Sequence, residues 1–360
     1  MQQPSLAVIG CGNIAQFHLN AFASLKARVA VLSDVRPEAT ADWAQRLGAR
    51  QVPDWRQAVL DREVNTVVIC GWSTLHYEIA RFALESGRHV ICEKTLTCSA
   101  AESADLARTA QQQNLQLYTS YMKRFFPAVR RAKELMPRLG RLMAVHLRTH
   151  QPSGSCFDGD PAGYFATGPE GTASSCRRSA GGGVLTCAGS HVLDLMLHLA
   201  GKPAQAFGQS YQRREHDVEI LFHGLLTWDD GACGHLDCSW HPHQAVGFEG
   251  RGWDEHVEII GTLGRLLVET PTWNRPDRAA ARLAWYDDAS ATWSSPVFDS
   301  IDPFTEAERS FLMGIANGRQ DVDQDPWTGY RVDQVIETLT QSAKENRPLH
   351  IPWVDLAGTR

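Results

Sequence analysis

The segment Gly10–Ala15 reads G-C-G-N-I-A and has the spacing of a G-x-G-x-x-A turn. An apolar strand pattern, Leu6–Ile9, runs directly into it, and a helical pattern follows. In that context the first glycine permits a tight turn, the second lets the backbone approach a diphosphate, and the small Ala15 allows close helix–strand packing. The N-terminus of the helix would face the phosphate charge. The segment therefore predicts a dinucleotide-binding turn.

An acidic residue supports this interpretation. Asp34 ends the second predicted strand, 24 residues after Gly10, where a carboxylate would hydrogen-bond the adenosine ribose hydroxyls. A carboxylate there disfavours a 2′-phosphate, so we predict NAD, with NADP less favoured. Arg36 lies two residues later and softens that preference. The alternative is a glycine turn and an acidic cap that bind no ligand.

The N-terminal third alternates short apolar runs with helical patterns such as Arg36–Leu47 and Tyr77–Ser86. Crossovers of this length favour parallel strand pairing, as in an α/β Rossmann domain. The predicted strands are Leu6–Ile9, Val29–Ser33, Thr66–Cys70, His89–Cys92 and Gln116–Thr119.

The pattern changes after Tyr121, and we predict two domains, residues 1–122 and 123–360. Residues 153–183 lack periodicity and are interpreted as a long functional loop. Helices are predicted at Pro127–Pro137, Val184–Ala200 and Asp333–Ala343. Strands separated by turn residues are predicted at Leu142–Arg148, Ile220–Trp228, Gly234–Ser239, His256–Ile260 and Arg265–Glu269.

Composition restricts the class of protein. The chain has 360 residues, 43% hydrophobic and 21% charged, with a net charge of −6, which is typical of a globular protein. No block of Lys or Arg indicates nucleic-acid binding, and no apolar run is long enough for an ordinary membrane helix. The N-terminus shows no secretory signal, and the nine cysteines follow no disulfide framework. We therefore expect a cytoplasmic protein.

Two later segments carry a family resemblance. His89–Thr95 reads H-V-I-C-E-K-T, and Gly181–Asp194 reads G-G-G-V-L-T-C-A-G-S-H-V-L-D. With the glycine turn, Tyr121–Pro127 and Val257–Gly264, the chain resembles the glucose–fructose oxidoreductase / inositol dehydrogenase (Gfo/Idh/MocA) family. The resemblance implies a Rossmann domain followed by an α+β domain with an open, mostly antiparallel sheet, often used to form a homodimer or homotetramer. The implied activity is reversible oxidation of a ring CH–OH in a sugar, cyclitol or glycoside.

The resemblance also implies site residues: Lys94 matches the motif lysine and His191 the catalytic histidine. The candidate catalytic residues are Lys94, His191 and Cys187. The candidate cofactor-binding residues are Gly10, Gly12, Asn13, Ile14, Asp34, Arg36, Gly71, Trp72, Ser73, His76, Glu93 and Lys94. The candidate substrate-binding residues are Lys94, Lys123, Arg124, Tyr164, Cys187, His191 and Trp240.

The chemistry of these side chains suits alcohol oxidation. Removal of hydride from a secondary alcohol requires loss of the hydroxyl proton, and an imidazole with an ordinary pKa of about 6.5 is a suitable base, so we assign that role to His191. Lys94 would hydrogen-bond the substrate oxygen and stabilise developing alkoxide charge, with a proton relay as the alternative.

The sequence departs from the family pattern at two positions. Thr95 replaces the proline of the Glu-Lys-Pro motif, and Cys187 replaces the usual catalytic Asp. A thiol supplies neither full charge nor a strong hydrogen bond. Either Lys94 and His191 suffice, or another carboxylate substitutes, or hydride chemistry has been lost.

Several residues keep a second interpretation. Cys187, His191 and Cys156 or Cys176 could hold zinc, but no Cys-x-x-Cys pair supports this, and we predict no metal. His76 could line the nicotinamide side or cap a helix, and Trp72 could line the cofactor pocket or fill core. Lys123 and Arg124 could face substrate or solvent, and Asp194 is interpreted as a structural helix partner. An aromatic and imidazole set could stack on sugar faces: Tyr164, Trp240, His241, His243 and Trp253.

These residues are compatible with three alternative functions. The first is an NAD-dependent dehydrogenase or reductase acting on CH–OH. The second is a sensor that binds NAD or sugar without turnover, which Cys187 favours and the retained Lys94 and His191 disfavour. The third is an NAD-using epimerase, lyase or glycosidase with transient oxidation.

Overall fold

A computed structural model describes residues 3–152, 181–212, 217–243, 245–272, 279–319 and 324–354. The chain forms two compact units. The first comprises Met1–Met122 and Asp302–Asp333, and the second comprises Lys123–Ile301 and Gln334–Arg360. The change of pattern after Tyr121 predicts that every residue after 122 lies in the second domain, whereas residues 302–333 group with the first unit.

The first unit contains a six-stranded, wholly parallel sheet in the order β3-β2-β1-β4-β5-β6. This is the Rossmann strand order, so the α/β prediction is confirmed. The strands are β1 Ser5–Ile9, β2 Arg28–Ser33, β3 Arg50–Val52, β4 Thr66–Ile69, β5 His89–Cys92 and β6 Leu117–Thr119. The helices are α1 Ala15–Leu25, α2 Glu38–Leu47, α3 Trp55–Leu60, α4 Ser73–Glu85, α5 Ala100–Gln112 and, late in the chain, α8 Pro303–Asn317.

The central strands of this sheet are buried because helices cover both faces. Every residue of β1 and β4 is buried, which explains their continuous apolar pattern. Parallel strands end at the same edge, so the turn after β1 and the segments after β2, β4 and β5 emerge together. The edge strand β3 is short and mostly exposed.

The second unit is built on a nine-stranded sheet in the order β14-β13-β12-β11-β7-β10-β9-β8-β15. Only β7 and β10 pair in parallel among the described strands, so the predicted mostly antiparallel sheet is confirmed. The strands are β7 Leu142–Pro152, β8 Gln205–Tyr211, β9 Leu221–Thr227, β10 Cys233–His241, β11 Asp254–Gly261, β12 Gly264–Glu269, β13 Arg282–Asp287, β14 Thr292–Ser294 and β15 Leu349–His350. The helices are α6 Pro127–Leu135, α7 Ser190–Ala200 and α9 Thr328–Glu345, the last of which begins in the first unit.

Buried and exposed side chains alternate along β7 and so define the two faces of this sheet. Val145, Leu147 and Thr149 are buried on the face against which α7 packs, whereas His146 is exposed on the other. The predicted single helix Val184–Ala200 begins instead as a π-helical turn, Leu185–Gly189, and continues as α7. Within the described part of the chain, no helix combines the length and apolarity needed to cross a bilayer.

Candidate active site

The glycine turn connects β1 to α1 at the carboxyl edge of the first sheet. Gly10 has φ +82°, and a Cβ added there would lie 2.7 Å from the Gly71 nitrogen, so only glycine fits. Gly12, by contrast, has no atom within 4 Å of an added Cβ. The turn therefore packs tightly against the segment after β4 while leaving open space at Gly12, close to the start of α1 at Ala15. This arrangement fits a diphosphate group.

Asp34 lies beside that turn at the end of β2. Its Oδ2 accepts the Cys11 N–H at 2.8 Å, and its Oδ1 accepts the Arg36 N–H at 2.9 Å. The Arg36 side chain is 60% exposed, with Nε 3.4 Å from Asp34 Oδ1. These backbone bonds fix the carboxylate, and Oδ2 has a further lone pair for a ribose hydroxyl. Asn13 and Ile14 complete the turn, with Ile14 at the N-cap of α1.

The segment after β4 contains Gly71, Trp72 and Ser73. Trp72 is the N-cap residue of α4 and is 49% exposed, so it does not fill core. His76 is buried in the first turns of α4, with Nδ1 2.8 Å from the Thr95 carbonyl and Nε2 3.1 Å from the Gly71 carbonyl. Burial lowers the pKa of His76 although both carbonyls oppose this, which favours the neutral imidazole. His76 therefore lies between the segment after β4 and the residue that follows Lys94, and its neutral ring donates to one of the two carbonyls.

Glu93 and Lys94 follow β5. Glu93 is buried and Lys94 is half-buried, and the Lys94 N–H donates to Glu93 Oε2 at 3.0 Å. The Lys94–Thr95 peptide bond is cis, although Thr95 replaces the motif proline. Glu93 Oε1 lies 2.9 Å from Nε2 of His18, a residue of α1 that no sequence motif indicates.

In the second unit, a carboxylate fixes the start of the helix that carries His191. Glu219 Oε1 accepts the Leu185 N–H at 3.0 Å, and its carbonyl accepts the Val184 N–H at 3.1 Å. A Cβ on Gly183 would collide with the Glu219 carboxylate, which explains one glycine of the Gly181–Gly183 run. Glu219 was also missed, because nothing in its local sequence marks it.

Cys187 and His191 lie on this helical segment. Cys187 is half-buried within the π-helical turn, and its N–H donates to the Gly183 carbonyl at 2.8 Å. His191 is 5% exposed in the first turn of α7. Single π-turns inside helices are frequent at functional sites. Cys156 and Cys176, considered above as zinc ligands, lie outside the described residues, as does Tyr164.

Lys123 and Arg124 carry buried ion pairs. Lys123 pairs with Glu255, and its Nζ lies 5.2 Å from the centroid of the Trp253 ring. Arg124 Nε donates to both oxygens of Asp194 at 2.9 and 3.0 Å. The partner role expected for Asp194 is therefore seen in the geometry, and Glu255 is a further residue without a sequence signal.

Trp240 is fully buried on β10, while His241 is buried beside it and its Nδ1 accepts the His243 N–H at 3.0 Å. The His241 and His243 rings stack with centroids 5.3 Å apart. Across the described ranges of the chain, no group of three or more His, Cys, Asp or Glu side chains has an arrangement that could hold a metal ion.

Comparison with known proteins gives a family match for each part of the chain. Residues 5–121 match the oxidoreductase family with an NAD-binding Rossmann fold, and residues 129–267 match the Gfo/Idh/MocA C-terminal domain. The chain is 27% identical to the levoglucosan dehydrogenase of Pseudarthrobacter phenanthrenivorans, covering 98% of this chain and 100% of that protein. It is 26% identical to D-xylose 1-dehydrogenase (NADP(+)) 2 of Haloferax volcanii, covering 88% and 89%.

A solved structure of a levoglucosan dehydrogenase in complex with NADH superimposes with a TM-score of 0.82 at 22% identity, covering 98% of this chain and 100% of that one. Its likeness establishes the fold of both units. The two family matches together span most of the chain, in the order that the motifs predict. The protein is therefore an NAD(P)-dependent oxidoreductase of the Gfo/Idh/MocA family.

Proposed function

We propose that the protein is an NAD-dependent dehydrogenase or reductase that transfers hydride between a ring CH–OH of a sugar, cyclitol or glycoside and nicotinamide. His191 acts as general base and Lys94 assists. The observation that carries the proposal is the turn at Gly10 and Gly12, open on one side and flanked by the fixed Asp34 carboxylate. The first unit thus offers a diphosphate site and a ribose acceptor in the order that NAD requires.

Four groups of residues would hold the cofactor. Gly10, Gly12, Asn13 and Ile14 would take the diphosphate, and Asp34 with Arg36 the ribose. Gly71, Trp72, Ser73 and His76, with Glu93 and Lys94, would face the nicotinamide half. Asp34 favours NAD over NADP because its charge repels a 2′-phosphate.

The chain's own groups then handle the proton. When bound, NAD would accept the hydride that leaves the carbinol carbon. His191 accepts the hydroxyl proton as the C–H bond breaks, and the imidazolium returns that proton in the reverse direction. Lys94 donates a hydrogen bond to the same substrate oxygen and stabilises its developing negative charge. Cys187 is proposed to shape the pocket beside His191, in the position where the family pattern has an acid.

The substrate class rests on the relatives' names, which include a levoglucosan dehydrogenase, a xylose dehydrogenase and a myo-inositol 2-dehydrogenase from Thermotoga maritima. The proposed substrate is therefore a small polyhydroxylated ring. Tyr164 lies outside the described residues, and the other candidate substrate residues would act as fixed walls: Lys123 and Arg124 are held in buried ion pairs, and Trp240 is fully buried. We also propose that the protein is a homodimer or homotetramer.

A substrate panel tests the proposal. The protein is incubated with NAD and a set of aldoses, anhydrosugars, inositols and glycosides, and NADH formation is followed by absorbance. We expect turnover with at least one member, and losses of about 100-fold or more in kcat for His191→Ala and Lys94→Ala. Tight NADH binding without turnover on the whole panel would instead indicate a sensor.

A further inference from the structure

A buried histidine lies between two carboxylates in the first unit, and neither the cofactor site nor the proposed mechanism uses it. His18 lies on α1 and is fully buried. Its Nε2 is 2.9 Å from Glu93 Oε1, and its Nδ1 is 2.6 Å from Glu308 Oε1 on α8. Glu308 is also fully buried. Three charged or ionisable side chains therefore meet in the buried interior of this unit.

The surroundings of the ring are aromatic. Phe304, one turn before Glu308 on α8, meets the imidazole edge-on at 5.2 Å between centroids, and Phe22 lies 6.4 Å away. Core packing alone would be served by an apolar side chain here. Burial of an imidazole and two carboxylates is costly unless their hydrogen bonds are made. Here each ring nitrogen of His18 lies within hydrogen-bonding distance of a carboxylate oxygen.

The charge state of the group follows from its neighbours. Burial alone would disfavour the imidazolium, but Cys70, Glu308 and Glu93 outweigh it and raise the pKa of His18 well above its ordinary value. Burial raises the pKa of Glu308, and Glu308 Oε2 has no hydrogen-bond partner among the described residues. Burial also opposes ionisation of Glu93, yet His18 and Lys94 lower its pKa overall. Of the two carboxylates, Glu93, the one next to Lys94, is therefore the one whose ionised form the surroundings favour.

Glu93 transmits this arrangement to Lys94. One of its oxygens binds His18, and the other accepts the Lys94 N–H at 3.0 Å. A carboxylate held at one oxygen by a fixed donor has a fixed second oxygen, so the Lys94 main chain is held in turn. His76 contacts the Thr95 carbonyl, which lies in the peptide between Thr95 and Leu96.

We propose that His18 is a positioning residue that acts through Glu93 to fix the backbone of Lys94, while Glu308 orients the imidazole from its other side. This inference rests on the proposed function in one respect, since Lys94 must act in catalysis for a change in its position to alter turnover. The positioning of the Lys94 backbone by His18 can be tested without turnover.

Two amide substitutions separate the two hydrogen bonds. In His18→Gln the side-chain nitrogen can occupy the place of Nε2 and keep the bond to Glu93, whereas in His18→Asn it can occupy the place of Nδ1 and keep only the bond to Glu308. We expect kcat to fall about 10-fold to 100-fold in His18→Asn and to stay within about threefold of wild type in His18→Gln. The dissociation constant for NADH, measured by fluorescence, is expected to be the same in both.

Hydrogen exchange at the Lys94 amide provides a readout that needs no substrate. We expect faster exchange in His18→Asn than in His18→Gln, because only the former releases the Glu93 carboxylate. Glu308→Gln, which keeps an acceptor for Nδ1–H, is the matched control and is expected to leave kcat and exchange close to wild type. If His18→Asn does not fold, Glu93→Gln is the substitute. It weakens the hydrogen bonds that the Glu93 carboxylate makes with His18 and with the Lys94 N–H, and it is expected to give the same kcat loss.

Equal kcat and equal exchange in the two His18 variants would overturn the inference and leave His18 as a packing residue. Absence of turnover in the wild-type protein would instead overturn the proposed function. The exchange at Lys94 would still decide whether His18 positions that residue.

Discussion

The two units position their chemical groups by different means. In the first, the backbone dominates: Gly10 packs against Gly71, Asp34 is held by two peptide N–H groups, and a parallel sheet brings the strand ends to one edge. In the second, buried side-chain pairs dominate, with Arg124 on Asp194 and Lys123 on Glu255. The backbone of the glycine turn depends chiefly on its glycines, whereas a site supported by buried ion pairs loses stability when one partner is removed.

The largest effect is therefore expected in the second unit. Arg124→Met or Asp194→Asn leaves one buried charge without its partner, and breaking such a pair costs about 3–5 kcal/mol. The free energy of unfolding from urea denaturation measures this loss. The double variant Arg124→Met/Asp194→Leu should recover most of it, because two apolar side chains bury no charge.

A loss below about 1 kcal/mol in either single variant would contradict this account and show that water or another group solvates the exposed charge. Arg131→Met serves as a control, because the Arg131–Glu134 pair is exposed and such pairs contribute little.

This contrast also explains what the sequence could predict. Gly10, Gly12 and Asp34 were predicted because a fixed backbone shape requires particular residue types at fixed spacing. Lys94 and His191 were selected by family resemblance, and their roles stay predictions. The partners Asp194 and Glu255 lie 70 and 132 positions from Arg124 and Lys123, and no local pattern identifies such pairs.

The secondary structure also contains elements that a local sequence pattern predicts and elements that it does not. The strands β1, β2, β4 and β5 were predicted within two residues, because their apolar runs are continuous. The edge strand β3 was missed because its Arg50 and Gln51 are polar and exposed. The π-helical turn at Leu185–Gly189 was predicted as α-helix, since spacing does not distinguish the two in a segment that is mostly buried. Nothing in residues 302–333 indicated their grouping with the first unit.

The next largest effect is expected in the glycine turn. Gly10→Ala places a Cβ against the Gly71 backbone at positive φ, which costs about 1–3 kcal/mol of stability. Gly12→Ala has open space around the new methyl group, so it should leave stability unchanged while weakening NADH binding by about 10-fold or more. Urea denaturation and NADH fluorescence measure the two quantities. Equal losses of stability in both variants would show that Gly12 is a packing position rather than an opening for the cofactor.

A smaller effect concerns cofactor preference. Asp34→Ser removes the charge that repels a 2′-phosphate but keeps a hydroxyl that can accept the Cys11 N–H. We expect the ratio of kcat/KM for NAD over NADP to fall about 10-fold, equivalent to about 1.4 kcal/mol. Arg36→Ala is expected to shift the ratio in the opposite direction, since the exposed guanidinium would otherwise attract the phosphate. An unchanged ratio in Asp34→Ser would remove Asp34 from the ribose site.

The smallest effect is a difference between the two units in how the free energy of unfolding depends on pH. The pKa of His18 is raised in the folded state, so its contribution to stability is full below its ordinary pKa of about 6.5 and is lost as pH rises through the folded value. Glu93 acts in the opposite sense: its lowered pKa gives a contribution that is present above about 4.3 and lost as pH falls. Between about pH 6.5 and 7.5 the His18 contribution therefore declines, by at most about 1.4 kcal/mol for one proton. The difference in unfolding free energy between wild type and His18→Gln should shrink across this range, whereas the difference between wild type and Arg131→Met, which removes an exposed pair of the second unit, should stay constant. A constant difference for His18→Gln as well would mean that the imidazole is neutral throughout, and that the first unit, like the second, is held by contacts that do not respond to pH.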